Sequence, residues 1–444
     1  MTVKTPYWNP LLETLDRERL EKLQLKKFQC IFKWAYDHSR FHRSLYDQSK
    51  ITPSDIQSLD DIRHVPTVEK SLMRDIQRKE PFPYGDALCV PIEDVTEFRQ
   101  TSGTTGQPVY QPDTWADWEW WAECWAYILW AQGYRPRDRV FIPFGYNIFV
   151  AFWAGHYGAE KIGCEVVPGG VLDTTARLLK IQELKATAMM ATPTYILGMA
   201  DAARNQLGID PSTLSINKIT CAGEPGASIP STKHRMESAW GAKVYDHSGA
   251  TEIGAWSYEC LAQSGGLHVN EGLFLVEIQD LDTGEPITEP GRKGKMIITA
   301  FDRIAQPCVR FDSKDVIEWA DYACPCGRTY RLIKGGVLGR ADDITKVKGV
   351  LLSPSAIEEV VRGISGLGNE YEVIVEKKGD TDRITLKVEF LPEAESRRTD
   401  IQKELTDQLR LKTNLRYDLQ FHSMGELPRY EVKAKRFKDL RKKA

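Results

Sequence analysis

A short segment near residue 101 combines a flexible backbone with many hydroxyl groups. Its two glycines allow a tight turn that exposes backbone N–H groups, and the hydroxyls add donors that suit the oxygens of a phosphate. It is not a Walker loop, because no Lys-Ser/Thr pair follows the second glycine. The pattern predicts a phosphate-binding loop, with a polar surface loop as the alternative. The loop residues are Thr101, Ser102, Gly103, Thr104, Thr105 and Gly106, followed by Gln107.

Three cysteines and one histidine have the chemistry of a metal site. Cys324 and Cys326 flank a single proline and precede a glycine, so a tight turn can bring both sulfurs to one ion. Cys260 and His268 upstream supply a second pair, and the set matches a closed tetrahedral zinc site. Such an ion would be structural, because protein fills all four positions. Reduced thiols in a turn without a metal are the alternative.

The elements that must position these groups follow from hydrophobic spacing. Residues 11–50 are predicted to be helical, and Asp113 is predicted to cap a helix that reaches Trp130. Strands and helices then alternate, which predicts an α/β sheet with parallel strands. The predicted strands are 139–143, 165–168, 188–191 and 216–221, and the predicted helices are 150–157, 174–183 and 194–203.

The character of the chain changes twice in its second half. After Gly265, strands at 273–279 and 295–300 flank a turn typical of a hairpin. Beyond Gly339, the order of strands and helices is that of a compact α+β unit. Its predicted helices are 354–363 and about 397–414, and its predicted strands include 372–376 and 383–390. We therefore expect a large N-terminal domain over residues 1–338 and a small C-terminal domain over 339–444.

The bulk composition restricts the class of protein. The chain has 444 residues, of which 42% are hydrophobic and 27% are charged, as in ordinary globular proteins. A net charge of -3 gives no reason to expect a nucleic-acid or membrane partner. Since no apolar run is long enough to cross a membrane and the N-terminus lacks a signal peptide's apolar core, we expect a soluble cytoplasmic protein. The nine cysteines are then reduced thiols or metal ligands.

A series of segments resembles, in family order, the motifs of the adenylate-forming superfamily, and of its phenylacetate-CoA ligase branch most closely. The departures from the family pattern are Gln107 for a lysine, Ser248 for a tyrosine and Val432 for a glycine. The segments are the loop 101–106, 222–225 (A-G-E-P), 246–252 (D-H-S-G-A-T-E), 309–315 (V-R-F-D-S-K-D), 339–349 (G-R-A-D-D-I-T-K-V-K-G) and 427–436 (L-P-R-Y-E-V-K-A-K-R).

The resemblance implies an ATP site. The loop 101–106 would grip phosphate, Asp315 would accept both ribose hydroxyls, and Arg340 would reach the ribose or phosphate. Since Ser248 replaces the tyrosine that stacks on adenine, Tyr245 or His247 is expected to supply that contact. The further residues implied at the nucleotide are Ala222, Gly223, Glu224, Pro225 and Asp246.

The resemblance also implies catalytic roles and a fold. Thr251 would touch phosphate, Glu252 would hold Mg²⁺, and Lys433 would stabilise the charge that develops during adenylation. Asp342 would be the pivot of a hinge at 340–342, about which a small mobile α+β C-terminal domain turns on a large domain with parallel-rich sheets. The acid's carboxylate would attack Mg-ATP and release diphosphate, and the CoA thiolate would then attack the acyl-adenylate and release AMP.

Two aromatic segments resemble those that line the aryl pocket in this branch. They contain Phe144, Gly145, Tyr146, His156 and Tyr157. Aromatic and glycine residues suit a ring-bearing acid, so an arylacetic acid is favoured, with phenylacetate first and indoleacetate or a benzoate-type acid as alternatives. The tryptophan-rich stretch 115–130 would shape this cavity or, as is commoner at helical spacing, pack in the core.

Two other functions stay open at this point. One is an adenylating synthetase with an acceptor other than CoA, and the other is a catalytically silent nucleotide-binding relative. The three departures from the family motifs support the silent protein, whereas joint retention of Glu252, Asp315, Arg340 and Lys433 argues against it. Assembly into a homodimer is compatible with the sequence, which does not fix the oligomeric state.

Overall fold

The chain forms two units that are each compact in themselves. The computed structural model describes residues 5–101, 107–341, 345–347, 350–378, 381–430 and 436–443. The first unit comprises Met1–Val171, Ala186–Met190 and Tyr245–Gly336, and the second comprises Leu172–Lys185, Ala191–Val244 and Val337–Ala444. Each unit therefore draws on separate stretches of the chain.

Helices occur where apolar side chains recur at helical spacing and a capping residue precedes them. They are α1 (Pro10–Glu13), α2 (Arg17–His38), α3 (Arg40–Gln48), α4 (Lys70–Gln77), α5 (Trp115–Ala131), α6 (Ala151–Lys161), α7 (Thr174–Leu184), α8 (Pro193–Leu207), α9 (Pro230–Trp240), α10 (Pro354–Gly363) and α11 (Arg398–Thr413). The predicted helix 354–363 is confirmed at both ends, whereas α9 was not predicted.

The strands are short and mostly apolar. They are β1 (Val68–Glu69), β2 (Glu97–Gln100), β3 (Tyr110–Asp113), β4 (Arg139–Ile142), β5 (Glu165–Pro168), β6 (Ala188–Ala191), β7 (Lys218–Cys221), β8 (Lys243–Ala250), β9 (Gly254–Tyr258), β10 (Gly266–Val269), β11 (Phe274–Gln279), β12 (Lys293–Ala300), β13 (Phe311–Glu318), β14 (Leu332–Lys334), β15 (Gly339–Arg340), β16 (Thr345–Val347), β17 (Val350–Leu352), β18 (Leu367–Lys378), β19 (Thr381–Phe390), β20 (Asp418–Ser423) and β21 (Phe437–Asp439).

The first unit holds both parallel and antiparallel pairings. Strand β4 pairs in parallel with β5 and with β6, which confirms the parallel sheet expected from the alternation of strands and helices. Strand β9 pairs antiparallel with β8 and β10, and β14 continues this group beyond β10. Strands β11, β12 and β13 form an antiparallel group to which β1 adds in parallel along β13, and β2 and β3 form a hairpin.

The tryptophan-rich helix α5 packs in the core of the first unit. Trp118, Trp121 and Trp125 are almost completely buried, whereas Trp115 at the start of the helix is exposed. Helix α6 approaches α5 through Gly158, where a Cβ atom would lie 2.3 Å from the Cβ atom of Trp125. This stretch therefore serves mainly as core packing, as is usual for aromatic residues at helical spacing.

Asp113 does not cap α5, contrary to the prediction. Thr114 is the N-cap, because its hydroxyl accepts from the Asp117 N–H and the Asp117 carboxylate accepts from the Thr114 N–H in return. Asp113 ends β3 and forms an ion pair with Arg303, and both side chains are fully buried. A buried guanidinium needs such a carboxylate, and this tertiary contact overrides the local capping signal.

The predicted helix over 11–50 is interrupted twice. The Asp16 carboxylate accepts from the Arg19 N–H and the Ser39 hydroxyl accepts from the His42 N–H, so each begins a new helix. Short polar side chains compete for backbone hydrogen bonds and favour such breaks.

The second unit contains α7 to α9, β7 and the C-terminal elements. Strands β18 and β19 form an antiparallel ribbon, and β21 and β20 add to its two edges in parallel. Apolar residues of these strands and of α10 and α11 form one buried cluster. Helix α10 also contacts α9, since the Thr232 hydroxyl lies 3.1 Å from the Glu358 carboxylate. Among the helices of the described residues, none combines the length and the apolar character that a membrane span requires.

Candidate active site and metal centre

The predicted phosphate loop lies at the turn between β2 and β3. Residues 102–106 lie outside the described residues, but both ends of the loop are in place. The Thr101 N–H donates to the Val109 carbonyl at 3.0 Å, and the Val109 N–H donates to the Thr101 hydroxyl at 3.0 Å. Thr101 and Val109 are therefore paired, and Gln107 between them is exposed.

Thr251 and Glu252 lie in the turn that connects β8 to β9. Arg303 holds this turn from inside the unit, because its Nη1 donates to the carbonyl oxygens of both residues, at 3.0 and 3.1 Å. The Glu252 side chain is 9% exposed, and its Oε1 lies 2.7 Å from Lys70 Nζ. The backbone of Glu252 is thus held in place by Arg303, and its carboxylate is paired with a lysine.

Asp246 and His247 are buried near the centre of β8. The Asp246 carboxylate accepts from the His247 N–H at 2.9 Å, and the His247 ring lies edge-on to Trp125 with centroids 4.4 Å apart. Burial lowers the pKa of the His247 imidazole to about 4. At neutral pH His247 is therefore an uncharged ring and adds no positive charge to the site.

The predicted ribose ligand Asp315 lies within β13, where its N–H donates to the Ser313 hydroxyl at 3.0 Å. It is half-buried, in contrast to Asp312 of the same strand, which is buried and pairs with Lys295 and Lys314. Asp315 is therefore the more exposed of the two carboxylates, and its role as ribose ligand stays a prediction.

Arg340, Asp342 and Lys433 belong to the predicted hinge and adenylation loop. Arg340 lies in β15 and is half-buried. Asp342 and Lys433 lie outside the described residues. Their roles remain predictions from the motifs in which they stand.

The segment 222–225 follows β7 in the second unit. The Ala222 N–H donates to the Ala191 carbonyl at 3.2 Å, and the Glu224 carboxylate accepts from the Thr194 N–H at 2.7 Å. Gly223 has φ +90°, a conformation that side chains rarely adopt. The A-G-E-P segment is therefore a tight turn, and the Glu224 carboxylate connects it to the start of α8.

The predicted acyl-pocket residues come together in the first unit. The Tyr146 hydroxyl lies 2.8 Å from His156 Nδ1, and Trp153 packs edge-on against Tyr146. Phe144 stacks on Phe152 with centroids 4.1 Å apart. The Tyr157 ring is edge-on to Trp118. Gly145 lies next to Gly170, since a Cβ atom added to Gly170 would be 2.8 Å from the Gly145 Cα. Residues of the two segments thus lie close together, as Tyr146 and His156 show, and their role in an acyl pocket stays a prediction.

The four predicted metal ligands also meet in the first unit. The donor atoms of Cys260, His268, Cys324 and Cys326 all lie within 4.8 Å of one another. Cys260 Sγ is 3.5 Å from Cys324 Sγ, and Cys326 Sγ is 3.4 Å from His268 Nε2. Tetrahedral zinc with its usual bond lengths separates such donors by about 3.5–3.8 Å. The set therefore fits one zinc ion in composition, and these two distances are close to the spacing of zinc ligands.

Hydrogen bonds within the cluster shift the pKa values of its members in opposite directions, and the shift of Cys326 favours a metal-binding form, the thiolate, whereas those of Cys260 and His268 do not. The hydrogen bond from Cys260 lowers the pKa of the Cys326 thiol to about 2 and raises that of Cys260 itself. Although burial disfavours a charged His268, its hydrogen bonds to the two thiols outweigh burial and raise its pKa. His268 Nδ1 lies 3.4 Å from the Tyr330 carbonyl oxygen, which leaves Nε2 for an ion.

Two residues beside the candidate site were missed in the sequence. Lys70 is the first residue of α4, in a charged stretch, and Arg303 lies in the loop between β12 and β13. Neither belongs to a quoted motif, and each lies far along the chain from its partner. The motif 246–252 carries two carboxylates and no lysine or arginine, and this imbalance is the one signal that could have suggested a distant cation.

Comparisons with known proteins agree with this geometry. The family model of the AMP-binding enzyme C-terminal domain matches residues 349–441. The chain is 32% identical over 386 residues to a phenylacetate-coenzyme A ligase of Thermus thermophilus, covering 86% of this chain and 84% of that one. It is 29% identical over 438 residues to the phenylacetate-coenzyme A ligase of Escherichia coli, covering 97% of each. A crystal structure of 2-hydroxyisobutyryl-CoA ligase in the postadenylation state matches with TM-score 0.94 and 27% identity, covering 100% of this chain and 94% of that one.

These findings define the class as adenylate-forming acid–thiol ligases, with a two-domain fold of mixed α/β and α+β character. Within that class, the chain belongs to the phenylacetate-CoA ligase family. ATP and CoA are therefore its cosubstrates, together with a carboxylic acid.

Proposed function

We propose that this ligase joins an arylacetic acid, phenylacetate first, to CoA through an acyl-adenylate. The observation that carries the proposal is the aromatic cluster around Tyr146, His156 and Trp153 in the first unit. Aromatic side chains with one polar pair suit a ring-bearing acid. The names of the relatives from Thermus thermophilus and Escherichia coli support the same acid.

Magnesium fits the first step of this reaction. Glu252 offers the carboxylate oxygen that a hard cation prefers. Among the described residues, the only group of three or more candidate metal ligands is the Cys/His cluster, so Glu252 does not stand in a protein cage. Mg²⁺ held by one carboxylate takes its remaining ligands from phosphate oxygens and water, which is its usual coordination at a nucleotide. The ion would supply charge neutralisation at the phosphates.

The remaining roles rest on the family motifs. Lys433 would approach the carboxylate and the α-phosphate during adenylation, and the loop 101–106 with Thr251 would bind phosphate oxygens. Asp315 and Arg340 would hold the ribose. Asp342 would serve as the pivot between residues 1–338 and 339–444 for the second step, in which the CoA thiolate attacks. Positioning and charge stabilisation then account for catalysis without a protein nucleophile.

A structural zinc ion at Cys260, His268, Cys324 and Cys326 completes the proposal. Three thiols and an imidazole fill a tetrahedral shell, which leaves no open position for chemistry. The ion would bind the β9–β10 region to the turn before β14, and so would stabilise the fold of the first unit.

The test is product formation by the purified chain with Mg-ATP and CoA. The acid panel contains phenylacetate, indoleacetate, benzoate and 2-hydroxyisobutyrate, the last because the matching crystal structure is of a ligase named for it. AMP, diphosphate and acyl-CoA are each measured. We expect release to depend on an arylacetate and to be strongest with phenylacetate.

A pair of lysine variants gives the control. Lys433→Ala should abolish adenylation with every acid, whereas Lys438→Ala should retain it, because Lys438 of the same basic tail pairs with Glu372. Diphosphate release without acyl-CoA would indicate another acceptor. No release with any acid would contradict the proposed function.

A further inference from the structure

The carboxylate of Glu252 is already paired with a cation of the protein. Lys70 Nζ lies 2.7 Å from Glu252 Oε1. Arg303 contacts the carbonyl oxygen of Glu252, so it fixes the backbone of this residue. The ion pair is asymmetric in exposure, since the lysine side chain is 38% exposed and the glutamate side chain only 9%. The lysine thus reaches the carboxylate from the solvent side and can leave without disturbing the core.

The position of Lys70 is fixed by the fold. Strand β1, just before it, pairs in parallel with β13, and the Val68 N–H donates to the Arg310 carbonyl at 3.0 Å. Val68 and Met73, on either side of Lys70, line the same small cavity as Glu252. The first residue of α4 is therefore held beside the carboxylate by buried neighbours on both sides.

Helix stability alone does not account for a lysine at this place. Lys70 is the first residue of α4, where the helix dipole disfavours a cation. No acidic residue lies in the first turn of the helix. The ion pair with Glu252 offsets this cost, which points to a role at the site.

A metal ion and an ammonium group compete for the same carboxylate oxygen. When Mg-ATP arrives, the ion needs Glu252, and Lys70 must release it. The released ammonium then stands beside a polyphosphate that carries several negative charges. This matters here because Gln107 occupies the position at which the phosphate loop of the family has a lysine.

We propose that Lys70 is a nucleotide-binding residue that neutralises Glu252 in the empty site, yields it to Mg²⁺, and then pairs with the polyphosphate of ATP. Lys70 thereby replaces the charge that Gln107 lacks. The inference rests on the proposed use of Mg-ATP with Glu252 as metal ligand. Lys70 lies outside the family motifs and supplies the positive charge that the phosphate loop lacks.

The test uses binding as well as turnover. Mn²⁺ alone, detected by electron paramagnetic resonance, is titrated into the nucleotide-free protein, and binding of ATP and of AMP is measured by calorimetry. In Lys70→Met we expect Mn²⁺ affinity to rise by roughly five-fold, because a partly exposed ion pair no longer competes. Affinity for ATP should fall by about ten-fold, whereas affinity for AMP, which has no polyphosphate, should stay unchanged.

A second substitution tests the exchange of charge. Gln107→Lys in the Lys70→Met background should restore ATP affinity but leave the enhanced Mn²⁺ affinity in place. The matched control is Lys27→Met, which removes another partly buried lysine, paired with Asp302 at 2.6 Å, and should change none of these values. Lys70→Arg keeps the charge and should resemble the wild type. If Lys70→Met does not fold, Lys70→Gln carries the same comparison.

Several results would overturn the inference. Unchanged affinity for both Mn²⁺ and ATP would do so, and so would an equal loss of ATP and AMP binding, which is the signature of a merely structural residue. If the wild type makes acyl-CoA and Lys70→Met has unchanged affinities for Mn²⁺ and ATP, the role of Lys70 is contradicted and the proposed function is not. A wild type that makes no acyl-CoA with any acid contradicts the proposed function, while the binding measurements still decide the role of Lys70.

Discussion

Arg303 and Asp113 form an ion pair from which solvent is excluded. Nη2 of Arg303 lies 2.9 Å from Oδ1 of Asp113, and both side chains are 0% exposed. Nη1 of the same guanidinium donates to the carbonyl oxygens of Thr251 and Glu252. One buried cation therefore connects the end of β3 to the turn that presents the candidate Mg²⁺ ligand.

Replacing this guanidinium should impair adenylation as well as stability. Arg303→Lys keeps the charge but loses the planar fork, so we expect the free energy of unfolding to fall by about 2 kcal/mol. We also expect diphosphate release by the folded enzyme to slow by about ten-fold, because the turn at Glu252 loses its support. Urea unfolding and a diphosphate assay measure the two effects.

A second buried arginine is the matched control. Arg310 is 2% exposed at its side chain and pairs with Glu277, but its other contacts are to the carbonyl oxygens of Arg63 and Val65, and not to that of Thr251. Arg310→Lys should cost similar stability while the folded enzyme keeps its rate of adenylation. Equal rate losses in the two variants would contradict the role given to Arg303.

The zinc proposal predicts a defined metal content. Elemental analysis of the purified wild type should give about one zinc per chain, and Cys324→Ser should lose it, because three ligands hold zinc less tightly than four. The melting temperature of the variant should fall, and a chelator should destabilise the wild type more than the variant. Cys308→Ser, at another buried thiol, should keep its zinc. Equal zinc in both variants would rule out the site.

Acidification should destabilise the protein in part through His247. Its pKa in the fold is about 4, because burial penalises the charged ring, whereas the unfolded chain protonates near pH 6.5. The stabilising effect is complete above pH 6.5 and is lost as the pH falls from 6.5 towards 4. At pH 5 the loss amounts to about 2 kcal/mol.

Unfolding free energies between pH 7 and 5 test this prediction. The decline should be smaller in His247→Gln than in the wild type by that amount, since glutamine does not titrate. His64→Gln, at an exposed histidine, should follow the wild type. A parallel decline in wild type and His247→Gln would show that His247 is not the group responsible.

The hydrogen bond between Tyr146 and His156 should affect the acid and not the nucleotide. In Tyr146→Phe the contact of 2.8 Å is lost, and His156 keeps its ion pair with Glu160, at 3.1 Å from its Nε2. The loss of one hydrogen bond is worth about 1 kcal/mol, so the KM for the preferred acid should rise about five-fold with an unchanged KM for ATP. Tyr322→Phe, at an exposed tyrosine of the same unit, should change neither. An equal rise in both KM values would contradict a role in the acyl pocket.

Local signals in the sequence were enough to predict most elements of the fold. The helix 354–363 and the strands around 139–142 and 188–191 follow from runs and periods of apolar side chains, which act over a few residues. The chemistry and motifs of the sequence also indicated which aromatic residues lie near Tyr146 and which cysteines lie near His268. Helix α9 was missed, since its exposed and charged residues give only a weak periodic signal.

Tertiary structure alone decided which partners the charged side chains have. The sequence suggested Asp113 as a helix cap, but burial beside Arg303 gave it a different role. Lys70 and Glu252 are far apart along the chain, and nothing local relates them. Ion pairs of this kind form only when folded strands bring distant residues together and exclude water, so no pattern of neighbours can specify them. The sequence determined the chemistry available to this ligase, and the tertiary structure determined which cation meets each carboxylate.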